Sequence, residues 1–151
     1  KWMLGMLKLT HINITIATVA FIPCVLALFF GDILYIGFGI NILVPVVGLG
    51  LGALFQANHY YLLGLTLAIT TTFLTYMMIN INIREGLLAL GHLFSLPGCA
   101  IGITVGAIFA KHLKQQIFIL IVGFFAAIGG FFINQLIVCN SFMYCGILSV
   151  N

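Results

Sequence analysis

The stretch IFILIVGFFAAIGGFFINQLIV, residues 117–138, decides how this chain is read. It holds no charged side chain, and Ile117-Phe118-Ile119-Leu120-Ile121-Val122 sets large apolar residues side by side without alternation. A strand of a membrane barrel alternates apolar and polar residues in segments of about ten. A helix that crosses a bilayer needs about 20 consecutive, mostly apolar residues. The stretch meets the second requirement and fails the first, so a membrane-spanning helix is predicted over 117–138.

Outward from it, the charges mark the remaining spans. None falls between Lys8 and Asp32, between Asp32 and Arg84, or between Glu85 and Lys111. The first and third intervals each fit one span. The second fits two, with Gln56-Ala57-Asn58-His59 as the polar break. The expected fold is all-α: a polytopic transmembrane helical bundle of about five spans, at 10–30, 33–55, 59–80, 86–110 and 117–138. The whole of 1–151 reads as a single transmembrane domain, with 1–9 an inner-surface interfacial segment and 139–151 a short outer tail. Short connections make successive helices antiparallel neighbours.

Composition points the same way. Hydrophobic residues make up 64% of the chain and charged ones 5%, against roughly 25% charged in a soluble domain. So few charges cannot clothe a water-facing surface, so the lipid bilayer is the expected surrounding. A net charge of +3 without a basic stripe gives no support for a nucleic-acid partner. Basic residues collect on the cytoplasmic side of membranes. With the N-terminus inside, Lys1, Lys8, Lys111 and Lys114 lie inside and only Arg84 outside, so the chain is expected to be N-in, C-out. Trp2, near Lys1 and Lys8, reads as an interfacial anchor, and Tyr35, Tyr60 and Tyr61 fall near predicted helix ends, where interfacial aromatics belong.

Several features are candidates for packing or chemistry. Gly98, Gly102 and Gly106 share one face of the fourth span, where the missing side chains let another helix approach closely. Gly48, Gly50 and Gly52 on the second span and Gly129-Gly130 on the fifth add further thin places. These faces suit either packing within the bundle or an oligomer interface. Pro23, Pro45 and Pro97 lie near mid-span, where each removes a backbone donor. Gly39, Pro45 and Gly50 repeat the spacing of Gly91, Pro97 and Gly102. Matching Pro/Gly interruptions in two halves point to a binding site in transporters.

Polar groups gather toward the predicted outer half. His92, Ser95, Asn134 and Gln135, with Asn41 on the second span, are the candidate ligand-binding residues. Their alternative role is interhelical hydrogen bonding. Thr66, Thr70, Thr71, Thr72 and Thr75 are expected to bond the backbone of their own helix. Cys139 and Cys145 form a possible disulfide in an oxidising outer compartment. The four histidines show no metal-ligand or haem-ligand spacing, so no metal and no cofactor is predicted. Asp32 and Glu85 are the chain's carboxylates, and no G-x-S-x-G, H-E-x-x-H or phosphate loop occurs. The expectation leans away from an enzyme. It favours a non-catalytic subunit of a homo-oligomer or larger membrane complex, with membrane-protein partners or self-association. The alternative is a small-solute or ion transporter or channel, with its site between the Pro/Gly-interrupted second and fourth spans.

Overall fold

A computed structural model describes residues 38–55, 58–83 and 86–141, together with positions 19, 22 and 25. Among the described residues there are four helices and no strand: α1 (Phe38–Leu54), α2 (His59–Ile83), α3 (Gly86–Ala110) and α4 (Gln116–Ser141). They correspond to the second to fifth predicted spans. α2 runs three residues past its predicted end at 80, and α4 extends the predicted 117–138 at both ends. Of the predicted span 10–30, positions 19, 22 and 25 are helical, and the rest, with Pro23 and Cys24, lies outside the described residues. So do residues 1–9, Arg84, Glu85 and the tail from 142 onward.

Local chemistry explains the boundaries. Asn58 caps α2: its Oδ1 accepts from the Tyr60 N–H at 3.2 Å, and its carbonyl accepts from Tyr61 and Leu62. An N-terminal Asn satisfies donors that the first helical turn leaves unpaired. α3 closes with tight i to i+3 bonds from Lys111, His112 and Leu113 back to Ile108, Phe109 and Ala110. A short connection, 111–115, then turns the chain into α4. The threonines Thr66, Thr71, Thr72 and Thr75 bond carbonyls of their own helix, which hides their hydroxyls from an apolar surrounding. Thr70 instead reaches the Val19 carbonyl at 3.4 Å, tying that part of the chain to α2.

Small residues mark the closest helix contacts, and Tyr61, Leu65, Phe73, Ile103 and Phe131 fill the core around them. α4 lies between α2 and α3 and buries Ile119, Gly123, Ala127, Phe131, Gln135 and Cys139, a stripe at four-residue spacing. Towards α3, a Cβ on Gly98, Gly102 or Gly130 would collide with backbone of the facing helix, and one on Gly106 would meet the Ala126 Cβ at 2.5 Å. Towards α2, Gly64 abuts the Leu120 carbonyl and Gly123 abuts the Tyr61 carbonyl. Backbones this close multiply dispersion contacts of about 0.1–0.2 kcal/mol per atom pair. α1 touches α2 and α3 more lightly, with Gly48 beside Ile69 and Gly52 beside Leu62 and Leu65.

Many other bulky apolar side chains face outward. Ile101 is 66% exposed and Phe125 64%, and Val105, Phe109, Phe118 and Ile133 are exposed with them. Among the described residues, two helices are long and apolar enough to cross a membrane, through Leu93–Ala110 of α3 and Gln116–Ser141 of α4. Only 33% and 22% of these segments is buried. The central helix of a water-soluble domain would be buried on most sides.

Candidate functional site

Two places on this scaffold bring chemistry together: an interhelical polar seam around α4 and an apolar cavity between α1 and α3. The seam begins near the 111–115 turn with Tyr61, whose side chain is 0% exposed. Gly106 on α3 and Gly123 on α4 leave the space that its ring and backbone occupy. Its hydroxyl donates to the Ile103 carbonyl of α3 at 2.5 Å. Tyr61 was expected at the membrane surface as a belt aromatic. It sits inside because two glycines on separate helices open a slot for it and a helix carbonyl satisfies its hydroxyl. Tyr60, its neighbour in sequence, is only partly buried.

At the other end, the residues expected to form one polar pocket part company. Asn134 faces α3, where its Nδ2 donates to the Phe94 carbonyl at 2.5 Å. That carbonyl lies in the turn interrupted by Pro97, which offers no N–H to Leu93 four residues back. Gln135 faces α2 instead. Its amide lies against the Tyr76 hydroxyl, although its Oε1 meets no donor at hydrogen-bond geometry. Phe131, one turn earlier on α4, stacks edge-on against Tyr76 with ring centroids 5.8 Å apart. Successive helix positions are about 100° apart, so Asn134 and Gln135 serve different neighbours. Ser95 is wholly buried in α3 and is not free. Asn41 and His92 lie on α1 and α3, with their side chains outside the described residues.

The cavity has a volume of about 230 Å³ and opens to one side. Leu43, Val44, Val47, Gly48 and Leu51 of α1 form one wall, Leu93, Leu96, Cys99, Ala100 and Ile103 of α3 the other, and Ile69 of α2 its floor. It lies between the two helices that carry Pro45 and Pro97. Pro45 is buried and Pro97 exposed, and neither lines it. The Cys99 thiol, free of any disulfide, is the one polar side-chain group among the lining residues. Such walls suit hydrocarbon and offer nothing to replace the hydration shell of an ion.

No known protein family matches this chain, and neither characterised proteins nor solved structures show a relative of it. The site is therefore read from its own geometry. Among the described residues no cluster of His, Cys, Asp or Glu has the arrangement of a metal site. Cys139 is disulfide-bonded and buried within the last turn of α4, where the sequence placed it in the tail. Both remaining cysteines, Cys24 and Cys145, lie outside the described residues. Sequence reasoning missed Tyr61 and Tyr76 as interior residues. For Tyr61 the available signal was Gly106 and Gly123, whose match is visible only once α2, α3 and α4 are side by side.

Proposed function

We propose that this chain is a five-span, N-in membrane protein that serves as a non-catalytic subunit of a homo-oligomer or a larger membrane complex. The observation that carries this reading is the run of large apolar side chains on the outward faces of α3 and α4. Glycines bring α3 and α4 into close contact, while Ile101, Val105, Phe118, Phe125 and Ile133 point outward. In water that arrangement would expose a very large apolar surface, so lipid or protein must cover it. At about 1.5 Å per residue, α2 and α3, of 25 residues each, run to about 37 Å. The hydrocarbon core is about 30 Å thick, which supports counting α2 as a span alongside α3 and α4. α1 and the segment around Val19 complete the count of five.

The glycine face of α3 is already filled by α4, so association runs through the outward apolar faces. The test is extraction in a mild detergent that preserves partners, followed by determination of the particle mass. An oligomer or a co-purifying membrane protein is expected. A stable monomer without partners refutes the subunit reading, and a chain monodisperse in plain buffer refutes membrane insertion. For orientation, a cysteine placed at Gln115 is expected to react only from the cytoplasmic side.

A second reading, transport, is favoured by one observation: the cavity lies between the two proline-interrupted helices. Pro45 and Pro97 leave the Asn41 and Leu93 carbonyls without their helical donors, as in the broken helices of transporters. The apolar walls restrict this reading to an apolar cargo. Bulky substitution of Ala100, which narrows the cavity, is expected to abolish flux in liposomes. Unchanged flux excludes the cavity as the path.

A further inference from the structure

The connection between α3 and α4 carries a concentration of basic side chains with nothing in the described structure to offset it. Lys111, His112 and Lys114 are all exposed, as are Gln115 and Gln116 beside them. The first turn of α4 holds no acidic residue. Of the chain's two carboxylates, Glu85 directly precedes in sequence Gly86, the first residue of α3, and both Glu85 and Asp32 lie outside the described residues. With 25 residues in α3, its two ends stand about 37 Å apart along the helix axis. That is several times the screening length of about 8 Å at physiological salt.

We propose that the 111–115 turn is a binding surface for the headgroups of anionic phospholipids, on the reading that the chain spans a membrane. The flanking side chains set its depth. Ile108 and Phe109 before the turn, and Ile117 and Phe118 after it, are each about half exposed. In a bilayer these residues sit in hydrocarbon, which holds the lysine ammonium groups at headgroup level. Lysine stems lie along apolar surface while the charge reaches the polar layer. The Gly106–Ala126 contact holds α3 and α4 close near the turn, and the turn carries the three basic groups within four residues. Anionic headgroups supply the charge that the turn itself lacks. A zwitterionic headgroup carries no net charge and is attracted less.

The test uses the full chain in nanodiscs of phosphatidylcholine mixed with phosphatidylglycerol, released for native mass spectrometry to count the lipids retained. Each lysine near an anionic surface contributes about fivefold in partitioning at low salt. The wild-type chain is therefore expected to retain phosphatidylglycerol at least tenfold above its bulk ratio. Lys111→Gln with Lys114→Gln is expected to bring retention down to the bulk ratio. Lys111→Arg with Lys114→Arg keeps the charge and is expected to keep the preference. High salt is expected to weaken it, and inorganic phosphate at matched ionic strength to have no further effect.

Equal retention by the wild type and the glutamine variant overturns the proposal, as does a preference indifferent to salt. Displacement by inorganic phosphate beyond that by chloride at the same ionic strength overturns it in favour of a free-phosphate site. Loss of preference in the arginine variant overturns it in favour of a role for lysine other than charge. The protein mass in the same spectra reports the oligomeric state, so failure of the lipid site and failure of the subunit reading are read separately.

Discussion

Adding one methyl group at Gly130 tests whether α3 and α4 meet as closely as the glycine seam requires. A Cβ there would run into the Gly98 carbonyl, and would stand 3.0 Å from the Gly102 Cα and 3.1 Å from its nitrogen. All three obstacles are backbone, so no side chain can rotate away and the whole of α3 has to move. Overpacking of this kind costs roughly 1–3 kcal/mol. The adjacent Gly129 has nothing within 4 Å of its Cβ position, and Gly129→Ala is expected to change stability by less than about 0.5 kcal/mol. Helix propensity cancels between the two variants, since both exchange glycine for alanine in the same turn. It also largely cancels against the unfolded state in lipid, where the separated helices persist. The expected difference of about 2 kcal/mol corresponds to roughly 30-fold in the unfolding equilibrium. Denaturation by sodium dodecyl sulfate from mixed micelles, followed by circular dichroism and protease susceptibility, reads it directly. Equal stability of Gly130→Ala and Gly129→Ala would refute the seam.

Other contacts give sharper local outcomes. Tyr61→Phe removes the hydroxyl that donates to the Ile103 carbonyl and is expected to cost about 0.5–1.5 kcal/mol by the same assay; Tyr61→Ala empties the slot and is expected to cost about 3–5 kcal/mol. Cys99 lines an apolar cavity, so a charged thiol reagent is expected to leave it unlabelled in intact membranes while an apolar one of similar size reacts; labelling by both would place water in the cavity. Cys139 is expected to resist alkylation until reduced. Under the expected pairing with Cys145, Cys145→Ser frees the Cys139 thiol for alkylation and Cys24→Ser leaves it protected; the reverse pattern refutes that pairing.

What the sequence determined by itself follows from solvent. Long charge-free intervals and unalternating apolar runs are sufficient to predict helices, because lipid forces each segment to satisfy its own backbone hydrogen bonds. Hence the start of α3 at Gly86 and the break at Asn58 were legible residue by residue, as was the back-bonding of four threonines in α2. Which faces meet was not legible. Gly98, Gly102 and Gly106 announce a close approach without naming the partner, and only the tertiary structure sets Ala126 and Gly130 against them. Asn134 and Gln135 look like one site in sequence, yet the rotation of about 100° between neighbours on a helix sends one to α3 and the other to α2. Tyr61 was assigned to the surface by its place in the chain and buried by glycines on two other helices. Helix formation in a bilayer is a local consequence of the segment's own residues, whereas the choice of neighbour depends on shape matching between segments far apart in the chain.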